Sequence, residues 1–163
     1  MPTPRTSTAR TAILPGLLLL LGLLPAVTRA AEHRPAASIP QAALIEPAAL
    51  AATLKDGASP KPLLLQVGFR ALYLQAHIPG SLYAGPGNDE AGLALLRGRV
   101  EKLPKDAPIV IYCGCCPWSR CPNMAAAYDE LQRLGYTRVR ALHIADNFGT
   151  NWVDLGFPTA TGE

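Results

Sequence analysis

Residues 107–123 read A-P-I-V-I-Y-C-G-C-C-P-W-S-R-C-P-N, and their order decides the fold. Pro108 opens a run of β-branched and apolar residues, Ile109 to Tyr112, which predicts a strand buried on both faces. At Cys113 the chain turns to glycine, proline and cysteine, and from Asn123 to Leu134 it carries a helical pattern that stops at Gly135. A buried strand, a tight loop and a helix form the first half of a parallel β-α-β unit.

The neighbouring segments repeat that alternation. Pro47 sits in the first turn of a short helix that Gly57 ends. Leu63–Val67, between Pro62 and Gly68, is a second apolar strand. Residues 73–87 are turn-rich, with an extended piece at Ser81–Tyr83. Leu93, Leu95, Leu96, Val100 and Leu103 have helical spacing and end at Pro104. Residues 137–144 predict another strand, and 147–158 a loop with a short terminal helix. The expected class is α/β with a mostly parallel sheet, and there is no internal repeat.

The first thirty residues differ from the rest. Arg5 and Arg10 precede a mostly apolar stretch from Ala12 to Leu24, and T-R-A ends at Ala30. That is the pattern of a secretory signal peptide over residues 1–30, followed by an irregular lead-in at 31–44 and a domain at 45–160. The apolar stretch is shorter than the ~20 residues of a spanning helix, so membrane attachment is expected only if the segment stays uncleaved. No cysteine lies near Ala30 for lipid attachment, and no paired arginine marks folded export. A periplasmic or secreted location follows. The chain's net charge of +3 resides in Arg5, Arg10 and Arg29, and the remainder carries 12 basic and 12 acidic residues. A neutral domain of this kind offers no basic surface for nucleic acid.

All four cysteines, Cys113, Cys115, Cys116 and Cys121, lie within nine consecutive residues. A disulfide framework would staple distant loops, so this spacing reads as a site. Ligands of parallel sheets bind outside the carboxyl ends of the strands, which is where Cys113 falls. The following helix N-terminus and the Arg120 cation are expected to stabilise its thiolate, the nucleophilic form.

I-V-I-Y-C at 109–113, A-H-I-P-G-S at 76–81, L-G-Y at 134–136 and W-V-D-L-G-F-P at 152–158 resemble segments of single-domain rhodanese-like proteins. The resemblance covers roughly residues 45–160. It implies a three-layer α/β/α fold with a mostly parallel central sheet, and a sulfurtransferase activity in which Cys113 matches the catalytic cysteine. In that family the thiolate takes a sulfane sulfur from a donor such as thiosulfate, forms a persulfide, and passes the sulfur to a thiol acceptor. A small sulfur donor and a thiol acceptor are therefore the expected partners, and no cofactor is expected. Substrate contacts are expected from Gly114, Cys116, Trp118, Ser119, Arg120 and Asn147, with loop N–H groups cradling the anion.

The departures from the family pattern are specific. Its Asp-Val-Arg reads Gln66-Val67-Gly68 here, and its Gly-Gly before the last helix reads Asp146-Asn147-Phe148-Gly149. The usual Cys-x4-Arg becomes Cys-x6-Arg from Cys113, but is kept from Cys115, which makes Cys115 the alternate nucleophile. No Cys-x5-Arg exists, which disfavours the phosphatase relatives of the fold.

The extra thiols leave alternatives open. Cys113-x2-Cys116 has redox spacing, and Cys115, Cys116 and Cys121 are disulfide candidates, with Cys116–Cys121 the structural pairing. A competing reading is a non-enzymatic redox or soft-metal module built on Cys113, Cys115, Cys116 and Cys121. The divergent directions expected of adjacent Cys115 and Cys116, and the stiffening Pro117 and Pro122, oppose a four-sulfur tetrahedron. Haem attachment is excluded because Pro117, not His, follows the second cysteine. His77, His143 and Trp152 read as structural, and Trp118 as a lid or a partner contact.

Overall fold

The apolar runs become adjacent strands of one sheet. The computed structural model describes residues 1–3, 36–56 and 61–163. Among the described residues the strands are β1 (Leu44–Ile45), β2 (Leu63–Gln66), β3 (Leu82–Tyr83), β4 (Ile109–Tyr112) and β5 (Val139–Leu142), with helices α1 (Pro47–Lys55), α2 (Arg70–Gln75), α3 (Glu90–Val100) and α4 (Pro122–Arg133) between them. The sheet order is β1-β5-β4-β2-β3 and every pairing is parallel. Strand β4 is central, with Leu63–Gln66 in register beside Ile109–Tyr112 on one side and Val139–Ala141 beside Ile109–Ile111 on the other.

Central position explains the unbroken apolar composition of β4, whose four residues are all buried. Leu65, Ile109, Ile111, Val139 and Ala141 face one core, closed by Leu96 and Val100 of α3 and Met124, Ala127 and Leu131 of α4. Leu64, Val110, Tyr112 and Leu142 face the other, closed by Leu50 of α1, Ile78 and Trp152. Each fully buried Leu or Ile contributes roughly 1.5–3 kcal/mol of transfer free energy. The result is the expected three-layer α/β/α arrangement.

Three local expectations change. Helix α2 falls where the sequence shows only turn signals, because its six residues are too few to display a 3.6-residue period. The lead-in is not wholly irregular: Ala36–Ser38 and Gln41–Ala43 are short 3-10 turns, and Ala36 and Ile39 enter the core beside α4. Leu44–Ile45 then pairs with β5 as the edge strand. The terminal segment Gly149–Val153 winds as a π-helical turn and seats Trp152, which is fully buried. Residues 4–30 of the expected leader lie outside the described residues. Among the described residues, no helix is long and apolar enough to cross a membrane.

The end of β4 is fixed before the cysteine loop starts. Tyr112 Oη lies 2.7 Å from Ser81 Oγ and accepts a bond from Ile78 N at 3.1 Å, which ties the strand to the A-H-I-P-G-S turn. His77 holds that turn from the other side, stacked on Tyr73 and paired through its backbone with Ala160.

Candidate active site

Cys113 directly follows β4 and is 4% exposed. Its neighbour Gly114 turns the chain with φ +75°, a conformation that glycine adopts freely. Close approach demands glycine there as well: a Cβ at 114 would stand 2.6 Å from Phe148 Cβ, and Phe148 N donates to Gly114 O at 3.0 Å. Trp118 N donates to Ala145 O, so the loop is pinned to the β5–terminal segment at two points. Trp118 also meets His143 edge-on, and His143 Nδ1 lies 2.9 Å from Glu46 Oε1.

The pinned loop gathers sulfur. Cys113 Sγ and Cys115 Sγ are 3.2 Å apart, and Cys115 Sγ and Cys116 Sγ 3.3 Å. The latter distance corrects the expectation that adjacent Cys115 and Cys116 diverge; the turn after Gly114 folds their side chains to the same side. Cys113, Cys115 and Cys121 place their sulfurs within 4.8 Å of one another, close enough to hold one metal ion. All four cysteines are free thiols in the structure.

Two residues that sequence reasoning missed complete the arrangement. Asn123 is fully buried, and its Nδ2 donates to Cys113 Sγ at 3.4 Å and Cys115 Sγ at 3.6 Å. Asparagine in the first turn of a helix was the available signal, since a buried amide must find partners. Gly68, at the end of β2, supplies space: a Cβ there would stand 2.8 Å from Cys113 Sγ. Gln66 folds back to accept from Gly68 N at 3.2 Å and holds this glycine in place.

The electrostatics differ from the expectation drawn from spacing. Helix α4 directs its first N–H groups at Cys121, not Cys113. Hydrogen bonds from the Cys113 and Cys115 thiols, followed by those from Asn123 N and Met124 N, outweigh burial and hold Cys121 well below the usual thiol range. At Cys113 the lowering effect of Cys115 is outweighed by Cys121 and by burial, so its thiol is pushed up. Cys115 is raised by Cys113 first and Cys121 second. Cys116 is raised mainly by burial, and the Arg120 charge acts on this sulfur in the lowering direction.

A cavity of about 400 Å³ opens at Cys113, lined also by Gly114, Cys115, Asn147, Phe148 and Leu72 of α2. Of the expected contacts, the structure thus brings Gly114, Cys115 and Asn147 to the cavity with Cys113. Cys116, Trp118, Ser119 and Arg120 do not line it; Ser119 and Arg120 are exposed in the 3-10 turn Trp118–Arg120. Asn147 caps its own segment, accepting from Thr150 N at 2.9 Å. A larger groove of about 870 Å³ between α1 and Trp152–Pro158 is lined by no cysteine.

The model of the Rhodanese-like domain family matches residues 46–143. No curated protein matches the chain. Among solved structures, a rhodanese-like domain from Anabaena sp. is 23% identical, with a TM-score of 0.56 over 73% of this chain and 79% of that one. A protein from Bacillus halodurans is 19% identical, with a TM-score of 0.56 over 72% of this chain and 76% of that one. A thiosulfate sulfurtransferase from Pseudomonas aeruginosa is 28% identical, with a TM-score of 0.54 over 76% of this chain but only 20% of its own length. The family match takes in β2 to β5 and the whole cysteine loop, and this chain belongs to the Rhodanese-like domain family.

Proposed function

We propose that the protein is an exported sulfurtransferase that carries a sulfane sulfur as a persulfide on Cys113. The observation that carries this reading is the placement of Cys113 at the carboxyl end of the central strand, with its cavity beside it. The Cys115 N–H hydrogen-bonds the Cys113 sulfur, and Asn123 Nδ2 donates to it as well. Such donors stabilise the charge that develops on a persulfide.

The step runs as follows. Cys113 reacts as its thiolate, the proton passing to solvent. The Cys113 sulfur attacks the outer sulfur of a donor such as thiosulfate; the new S–S bond forms as the donor's own S–S bond breaks, and sulfite leaves with the electron pair. An acceptor thiolate then attacks the outer sulfur of the persulfide, and Cys113 leaves as thiolate. The leader pattern of residues 1–30 supports export, to the periplasm or outside the cell.

Anaerobic incubation of the reduced protein with thiosulfate, followed by intact mass measurement, tests the reading. The expected result is one added sulfur atom in the wild type and in Cys115→Ser, and none in Cys113→Ser. Uptake lost in Cys115→Ser and kept in Cys113→Ser transfers the role to Cys115. Absence of uptake from thiosulfate and from glutathione persulfide overturns sulfur transfer.

A further inference from the structure

Sulfur transfer through a persulfide uses one nucleophile, and the loop holds three more thiols. Cys113, Cys115 and Cys121 form a ring of sulfurs, each within 4.8 Å of the others, two of them buried and one half-buried. A metal–sulfur bond of about 2.3 Å puts three sulfurs in a trigonal plane about 4.0 Å apart. The ring matches that size, and the 3.2 Å approach of Cys113 to Cys115 needs to open by less than an ångström.

Two of the three sulfurs already share an N–H donor suited to a thiolate, the Asn123 amide at 3.4 Å from Cys113 Sγ and 3.6 Å from Cys115 Sγ, and the third, Cys121, stands at the N-terminus of α4. Donors of this kind orient metal-bound thiolates and offset their charge. Three thiolates about a monovalent ion leave a net negative charge, which α4 and Asn123 are placed to balance.

We propose that Cys113, Cys115 and Cys121 form a trigonal thiolate site for copper(I). Soft sulfur ligands select this ion, and it accepts three of them, whereas structural zinc takes four ligands. Cys116 lies outside the ring: its sulfur is near Cys115 but is not within 4.8 Å of all three others. The site does not depend on sulfur transfer, and a protein that takes no sulfur from any donor could still hold the ion. Where both occur, they compete for Cys113, so copper(I) blocks sulfur loading.

The test is an anaerobic titration of the reduced full chain with copper(I) against a chromophoric copper(I) chelator, with X-ray absorption on the loaded protein. Expected are one copper(I) per chain, three sulfur neighbours at about 2.3 Å, at least a hundredfold weaker retention in Cys121→Ser and Cys115→Ser, and unchanged retention in Cys116→Ser. Asn123→Ala keeps all three ligands and is expected to weaken retention about tenfold. The wild-type coordination number reads the site even where a serine variant fails to fold. No copper retained by the wild type, a fourth sulfur neighbour that disappears in Cys116→Ser, or zinc held in preference to copper(I) would each overturn the assignment.

Discussion

Near its C-terminal end, helix α4 holds Glu130 between Arg97 and Arg133; its N-terminal end meets Cys121, Cys113 and Cys115. Both places crowd ionisable groups into little space, and they resolve the crowding in opposite ways. Glu130 accepts two bonds from Arg133, at 2.6 and 2.8 Å, and one from Arg97 at 3.0 Å, so its charge is compensated within the fold. The thiols meet each other and the neutral Asn123 amide. A compensated cluster serves stability. An uncompensated cluster of thiols is set up to meet something that arrives, an electrophilic sulfur or a cation.

The largest effect expected from disturbing the sulfur end comes through the backbone. Gly114→Ala puts a Cβ at φ +75° and against the Phe148 backbone, which cannot swing away as a flexible side chain would. A loss of about 3 kcal/mol is expected, measured by denaturant unfolding, together with loss of sulfur uptake. An unchanged midpoint would show that the loop is not seated on Phe148.

Glu130→Gln separates the two ends. It removes a charge held by three hydrogen bonds and is expected to cost about 2 kcal/mol while leaving sulfur uptake unchanged. The pH dependence has a definite sign. The Arg133 hydrogen bonds, and after them Arg97, hold Glu130 down to about 2 from its ordinary value of 4.5. Its contribution is present in full above the ordinary carboxylate range and is lost as pH falls from about 4.5 toward 2. The wild type should lose stability across that window and the variant should lose less. Parallel acid limbs would count against the ion pairs.

A smaller effect is expected where β2 meets the site. Gly68→Ala brings a Cβ to 2.8 Å from Cys113 Sγ, a terminal atom that can rotate aside. Stability should change by less than about 1 kcal/mol, while the displaced sulfur takes up thiosulfate about tenfold more slowly. Equal uptake rates would show that the room beside Cys113 is incidental.

The two ends of α4 were not equally legible in the sequence. The cysteine loop announced itself, because a buried strand stopping at Cys113 has few alternatives and sulfur at that spacing has few structural uses. The strands β2, β4 and β5 and the helices α1, α3 and α4 were legible for the same reason, since their apolar patterns are long. What could not be read was the direction of side chains. Nothing in the spacing shows that the α4 N–H groups reach Cys121 in preference to Cys113, that adjacent Cys115 and Cys116 turn to the same side, or that Asn123 bridges two sulfurs. Those depend on the turn at Gly114 and on its contact with Phe148, which are distant in sequence. The Arg97–Glu130 ion pair likewise joins α3 to α4 across a packing angle that only the folded chain specifies, whereas Arg133 pairs with Glu130 within α4. Helix α2 was missed because six residues do not complete two turns.

Arg120 provides the finest test of the comparison, because the sequence alone assigns it to the anion while the fold sets it apart. It is exposed on the 3-10 turn, it does not line the cavity at Cys113, and its charge bears on Cys116. A cation in direct contact with a bound donor would contribute a charge-assisted hydrogen bond, and its removal would raise KM tenfold or more. A solvent-exposed charge outside the cavity is screened, and its removal changes KM by about twofold. Arg120→Ala is therefore expected to raise KM for thiosulfate about twofold with kcat unchanged, and to show a smaller difference still at high salt. A tenfold rise that persists at high salt would place the guanidinium on the donor, and the sulfur end of α4 would then be compensated by a cation after all.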